Sequence, residues 1–185
     1  RRVMSVRTVF GVWLNDQFEC ERGMHQMKLA DSIANTLELP IYEKTKRRLS
    51  YLMSLSSCRQ YHLVPPLIPE AAALARGLPN PDKLSTIYNL ACNAHLNMQQ
   101  LDSAAVYLRR MEELLPNLVK KDNQASYYGL AANLALARGE FKRSLSSVEL
   151  ALKILQDNNI TSQYAIAPKQ AIAGRAAYQL GLLRK

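Results

Sequence analysis

Glycine is scarce in this chain, seven in 185 residues, and phenylalanine scarcer at three. β-Branched runs are few, whereas alanine and leucine abound, so a strand-built fold is excluded in favour of helices. No apolar run approaches the roughly 20 residues that cross a bilayer, which argues against membrane insertion by this segment. Motifs for several chemistries are missing as well. There is no GxGxxG or GxxxxGK[ST] to cradle phosphate, no HExxH to hold zinc and no GxSxG nucleophile elbow. The cysteines, Cys20, Cys58 and Cys92, fall in no CxxC or other metal-ligand spacing. Their odd number leaves at least one unpaired, which favours a reducing compartment.

The histidines are dispersed. Cys58 and His62 share an i, i+4 relation, but the turn expected near Arg59 spoils it as a thiolate pair. His95 lies in a packing stripe beside Cys92 and reads as a hydrogen-bonded core histidine, not a metal ligand. Glu112 and Glu113 point in different directions on a helix and make a poor carboxylate pair. The chain therefore reads as a non-enzymatic segment with no catalytic residue, metal site or cofactor.

Acidic residues are the minority charge, 15 against 24 Lys and Arg, for a net +9. The bases gather at Lys44, Lys46, Arg47 and Arg48, at Arg109 and Arg110, at Lys120 and Lys121, and at Arg138, Lys142 and Arg143. Ordinary solvated helix faces account for such clusters, although the surplus also suits an anionic partner such as nucleic acid. The start, Arg1-Arg2-Val3, has neither an initiator Met nor a signal-like apolar segment, so the chain reads as a piece of a larger protein. A cytoplasmic setting is favoured, with a periplasmic or other extracytoplasmic sensor segment left open.

What the chain does contain is a period. Residues 85–116, STIYNLACNAHLNMQQLDSAAVYLRRMEELLP, superpose without a gap on 125–156, ASYYGLAANLALARGEFKRSLSSVELALKILQ, at an offset of 40. In the later copy Tyr128, Ala131, Ala132 and Ala135 mark one helical face and Gly139 ends that helix. Leu145, Val148, Ala151, Leu152 and Leu155 form a second stripe, with Phe141 placed to plug the gap between the two helices. The markers Ala30, Ala71, Met111 and Ala151 are separated by 41, 40 and 40 residues. Four helix pairs and a ninth, orphan helix follow, in units of about 4–40, 41–80, 81–122, 123–162 and a truncated 163–185, forming one domain. Connections are expected near 39–41, 78–83, 116–123 and 157–161, where Pro, Asn and Asp favour turns and caps. Pro65, Pro66 and Pro69 belong to the first turn of one second helix.

Small residues at the eighth position of each first helix, Gly139 and Gly181 at the turns, and Ala104 and Ala151 within second helices together resemble the tetratricopeptide repeat. The resemblance covers nearly the whole chain, is best over 125–156 and departs at Arg48, which replaces the family's aromatic fourth position. The period also exceeds the family's usual 34 residues. It implies an all-α right-handed superhelix, an α-solenoid of antiparallel helix pairs. Long-period arrays of this kind look similar to sensory or regulatory segments of bacterial signalling proteins, such as transcription activators and diguanylate cyclases, so signal transduction through protein–protein interaction is the implied role.

In that family the concave groove is lined by the second, fifth, ninth, twelfth and thirteenth positions of first helices. Here these are Thr86, Asn89, Asn93, Leu96 and Asn97, then Ser126, Gly129, Asn133, Leu136 and Ala137. Asn93 and Asn133 occupy the ninth position, whose amide grips a ligand main chain, and Arg175 falls in the same row of the next unit. Leu96, Leu136 and Tyr178 form an adjacent apolar row that suits ligand side chains and equally suits a core. A protein or peptide ligand is the expected partner. A basic helical module on nucleic acid is the alternative, and self-association into a homodimer a third reading, with Ala171, Ile172, Leu180 and Leu182 expected on an exposed side of the last helix.

Overall fold

The computed structural model describes residues 2–16 and 19–182, and among them the regular structure is entirely helical. The α-helices are α1 (Arg2–Asp16), α2 (Cys20–Thr36), α3 (Ile41–Ser57), α4 (Ile68–Arg76), α5 (Asp82–Asn97), α6 (Leu101–Glu112), α7 (Lys121–Ala137), α8 (Phe141–Asp157) and α9 (Gln163–Gln179). The nine expected helices are thus present among the described residues; residues 183–185 of the last expected unit lie outside them. The proline-rich segment is a correction. Pro65 and Pro66 sit in a separate 3-10 turn and only Pro69 enters α4, which is left with nine residues. Adjacent prolines lack the amide donors that an α-helix needs to propagate, whereas a single tight turn tolerates them.

The period is written into the backbone. Arg59, Gln99, Gly139 and Gly181 all have left-handed φ, at 58°, 61°, 77° and 71°. The residue after each donates its N–H back across the helix end: Gln60 to Leu55, Gln100 to His95, Glu140 to Ala135 and Leu182 to Ala177, at 2.8–3.0 Å. Each left-handed residue donates in turn to Ser56, Leu96, Leu136 or Tyr178. These paired bonds are the Schellman closure, which satisfies carbonyls that a helix end leaves free. The ends of α3, α5, α7 and α9 are therefore built alike, although only two of the four carry glycine.

Each helix packs on the next, and α1, α3, α5 and α7 each also touch the next odd-numbered helix, the series ending at α9. Ala30, Ala71, Met111 and Ala151 are all buried, no more than 1% exposed. Burying a side chain the size of Met111 contributes about 2 kcal/mol. In α7 burial extends beyond the expected stripe to Tyr127, Leu130 and Leu134, while Tyr128 and Ala131 are only half-buried. The cause is that α5, α6, α8 and α9 all touch this helix, so no single stripe is its inner face.

Several residues turn out differently from their sequence reading. Arg47 and Arg48 are not on a solvated face: both are buried. Arg47 donates to Thr8 and Ser5 of α1. Arg48 bonds Asp31 of α2 at 3.0 Å and both carboxylate oxygens of Glu70 of α4, at 2.7 and 2.8 Å. Ile172, expected on an exposed side, is buried with Ala132 and Val148, whereas Ala171 and Leu182 are exposed. Cys20 and Cys58 form a disulfide across 38 residues, a separation that no spacing rule reveals. Disulfides persist in oxidising surroundings, which removes the ground for expecting a reducing compartment. Near that bridge α1 and α2 cross closely: a Cβ on Gly23 would lie 2.9 Å from the Gly11 carbonyl oxygen and collide with the Asn15 side chain. Among the described residues no helix is long and apolar enough to cross a membrane.

Candidate ligand-binding face

The groove residues named from the sequence stand on α5, α7 and α9, consecutive members of the odd-numbered series. Asn89, Asn93, Leu96, Asn133 and Leu136 are half-buried, and Asn97 and Arg175 are exposed. One helical turn after Asn93, the Asn97 amide nitrogen donates to the Asn93 backbone carbonyl at 2.8 Å and to its side-chain oxygen at 3.2 Å. This fixes the Asn93 amide so that its own Nδ2 remains available as a donor. The Asn89 and Asn133 side chains make no hydrogen bond to the described residues, leaving both their donors and acceptors open. Thr86 is turned back on its helix, its hydroxyl donating to the Asp82 carbonyl at 2.9 Å.

Gly129 does not belong with these residues. It is buried against the side chain of Lys169, and a Cβ placed there would meet the lysine Cε at 3.1 Å. Lys169 is itself buried and donates to the Ala165 carbonyl at 2.9 Å. Burial lowers its pKa, with the Asp122 charge pulling the other way. The apolar row is brought together in part: Leu136, Arg175 and Tyr178 line one cavity of about 360 Å3 with Phe141, Gly174 and Gln179. Leu96 is not part of it.

A second cavity, of about 440 Å3, opens at the first turns of α3, α5 and α7, and the sequence reading missed it. Tyr42, Asp82 and Asp122, spaced forty residues apart, all line it, together with Lys83, Lys120, Asn123 and Thr86. The signal was available, since the connections at 78–83 and 116–123 repeat at the period of the helices. Asp82 is the pivot. It is 5% exposed, and its Oδ1 accepts from the Lys120 backbone N–H and from Asn123 Nδ2, both at 3.2 Å, pinning the start of α7 to the start of α5. Its Oδ2 is buried with no hydrogen-bond partner.

His95, Cys92 and Cys58 are committed to packing or to a covalent bond. His95 is buried, with Nδ1 2.7 Å from the Gln100 amide oxygen and its ring stacked on Tyr107 at 5.5 Å between centroids. Burial pushes the Cys92 thiol up to about 12, which makes it a poor nucleophile at neutral pH. Cys58 is committed to its disulfide, so its pairing with His62 lapses. Among the described residues no group of His, Cys, Asp and Glu is arranged to hold a metal. Comparison with protein-family models, with curated proteins and with solved structures gives no match to this chain.

Proposed function

We propose that the chain is a tetratricopeptide-like scaffold, a solenoid of helix pairs, that binds a protein or an extended peptide along the face of α5, α7 and α9 and serves as a regulatory segment of a larger signalling protein. The observation that carries this reading is the set of uncommitted amides: Asn89 and Asn133 without hydrogen-bond partners, and Asn93 oriented by Asn97. Side-chain amides both donate and accept, as the backbone of an extended peptide does, so they read main chain whatever its sequence. The cavity that joins Leu136 to Arg175 offers a place for a ligand side chain beside them. The contacts along the odd-numbered series support the solenoid reading, because in such arrays first helices pack on first helices to line one surface.

The test is a screen of terminally blocked peptides on the immobilised protein, run beside the Asn93→Ala, Asn133→Ala double variant. Peptides that bind the native protein and lose at least tenfold on the variant support the reading. Equal binding by both proteins sinks it. Binding of RNA or DNA instead, falling steeply as salt rises, would assign the +9 surplus to phosphate contacts.

A further inference from the structure

The left-handed closures at Arg59, Gln99, Gly139 and Gly181 end α3, α5, α7 and α9 in one geometry, so they fix the register of these helices against one another. Six residues before each closure stand Met53, Asn93, Asn133 and Arg175. Three residues before each stand Ser56, Leu96, Leu136 and Tyr178. Positions three apart share a helical face, so these are two adjacent rows that cross four consecutive first helices. The asparagine row therefore starts on α3, one helix earlier than the sequence reading placed it. Its chemistry changes along its length, from a thioether through two amides to a guanidinium.

We infer that the ligand is an extended segment with an apolar side chain over Met53, main chain on Asn93 and Asn133, and an acidic side chain at Arg175; this rests on the peptide-binding reading above. Each end of the row has its own support. Met53 is 50% exposed, whereas Met27 and Met111 are buried, and Leu49 lies half-buried one turn before it. A flexible thioether beside a leucine adapts to apolar side chains of varied shape.

At the other end, Arg175 is exposed and makes no hydrogen bond or ion pair to the described residues. Its neighbours differ: Arg138 is paired with Asp102 and Arg143 with Glu140. No acidic residue occurs in α9 or in either row. In the cavity of about 360 Å3, Arg175 is the only charged lining residue, set among the Phe141 and Tyr178 rings and Leu136. A carboxylate entering there gains charge-assisted hydrogen bonds from the guanidinium and meets no like charge. A lysine side chain in the same place meets only repulsion, so the site selects by sign.

The row also sets a spacing. Packed helices lie ~8–10 Å apart, so the three steps from Met53 to Arg175 cover roughly 27 Å. At ~3.3 Å per residue, an extended chain spans this with about eight residues between its apolar and acidic side chains.

The experiment uses the whole chain and terminally blocked dodecapeptides of serine and alanine, read by fluorescence anisotropy. One peptide carries leucine and glutamate about eight positions apart, made in both chain orders. Companions replace the glutamate by lysine or the leucine by serine. In one chain order, the leucine and glutamate peptide should bind the native protein at least tenfold more tightly than either companion. Arg175→Glu should reverse the preference to lysine. Met53→Asp should abolish the preference for leucine and keep that for glutamate. Both side chains are exposed, so the melting temperatures of the variants should match that of the native protein. Peptides that lose tenfold on the Asn93→Ala, Asn133→Ala variant yet bind alike with glutamate or lysine would overturn this inference and leave the main-chain reading standing. A glutamate preference that survives in Arg175→Glu would do the same. No binding of any peptide at millimolar concentration would overturn both.

Discussion

A left-handed residue places its Cβ against the neighbouring carbonyl, a strain that glycine escapes. Arg59 and Gln99 bear it, while Gly139 and Gly181 do not. Gln99→Gly should therefore raise stability by about 1 kcal/mol and Gly139→Ala lower it by about as much, measured by urea unfolding. No atom lies within 4 Å of a Cβ added at Gly139, so a loss there reports backbone conformation and not collision. Lys169 poses a different question at the same scale. Burial lowers its folded pKa below its unfolded value, so the native state binds fewer protons between the two. Its contribution to stability is thus present above the ordinary lysine value and lost as pH falls through the lowered one. Lys169→Met keeps the apolar stem against Gly129 and removes the charge. The variant should melt higher than the native protein at neutral pH, with the advantage shrinking as pH climbs towards the ordinary lysine value.

Between helices, the buried ions tie α2, α3 and α4 together. Burial raises the Asp31 pKa against the pull of Arg48. For Arg48, burial opposes the charge, but hydrogen bonds and charges from Glu70 and Asp31 outweigh it, and its pKa rises. Both pKa values rise, yet only for Arg48 does this favour the charged form, because Arg48 has two carboxylate partners against its burial and Asp31 has one cation. Removing the guanidinium strands Asp31 in a dry site, so Arg48→Ala should lower stability by about 3–5 kcal/mol. The double variant Asp31→Leu, Arg48→Met should recover most of that loss, since no unpaired charge remains; both are read by chemical denaturation. Arg48 also shows where legibility ended. Its departure from the aromatic fourth position was plain in the sequence, but its partners lie 17 and 22 residues away on other helices. Helix number, the buried period of Ala30, Ala71, Met111 and Ala151, and the Gly139 turn were all legible, because each depends on local spacing. A turn near Arg59 was expected, but the left-handed residues that close it and the Gln99 turn were hidden by their side chains, and the Asp82 cavity by its place in connections read only as breaks between helices. The asparagines could be named from position, but not the Asn97 bond that orients Asn93, since a side-chain amide on a helix has more than one turn within reach.

Across the whole molecule, the contacts run between helices that are neighbours or next neighbours in order. Such local topology closes few long loops, which favours rapid folding and lets stability differ from one end of the chain to the other. The Cys20–Cys58 bridge bears on that distribution, because it restrains the unfolded chain over 38 residues. The Cys20→Ser, Cys58→Ser variant should lose about 3–4 kcal/mol, and its urea m-value should rise as the denatured chain expands.

The same bridge has a mechanical consequence. If the chain is drawn out by its two ends, tension passes from Cys20 to Cys58 through the sulfur atoms and bypasses residues 21–57 between them. In an optical trap the oxidised protein should therefore reach a contour shorter than that of the reduced protein by roughly 130 Å. Most of α2 and α3 would remain slack within that loop while every helix from α4 onward is pulled straight.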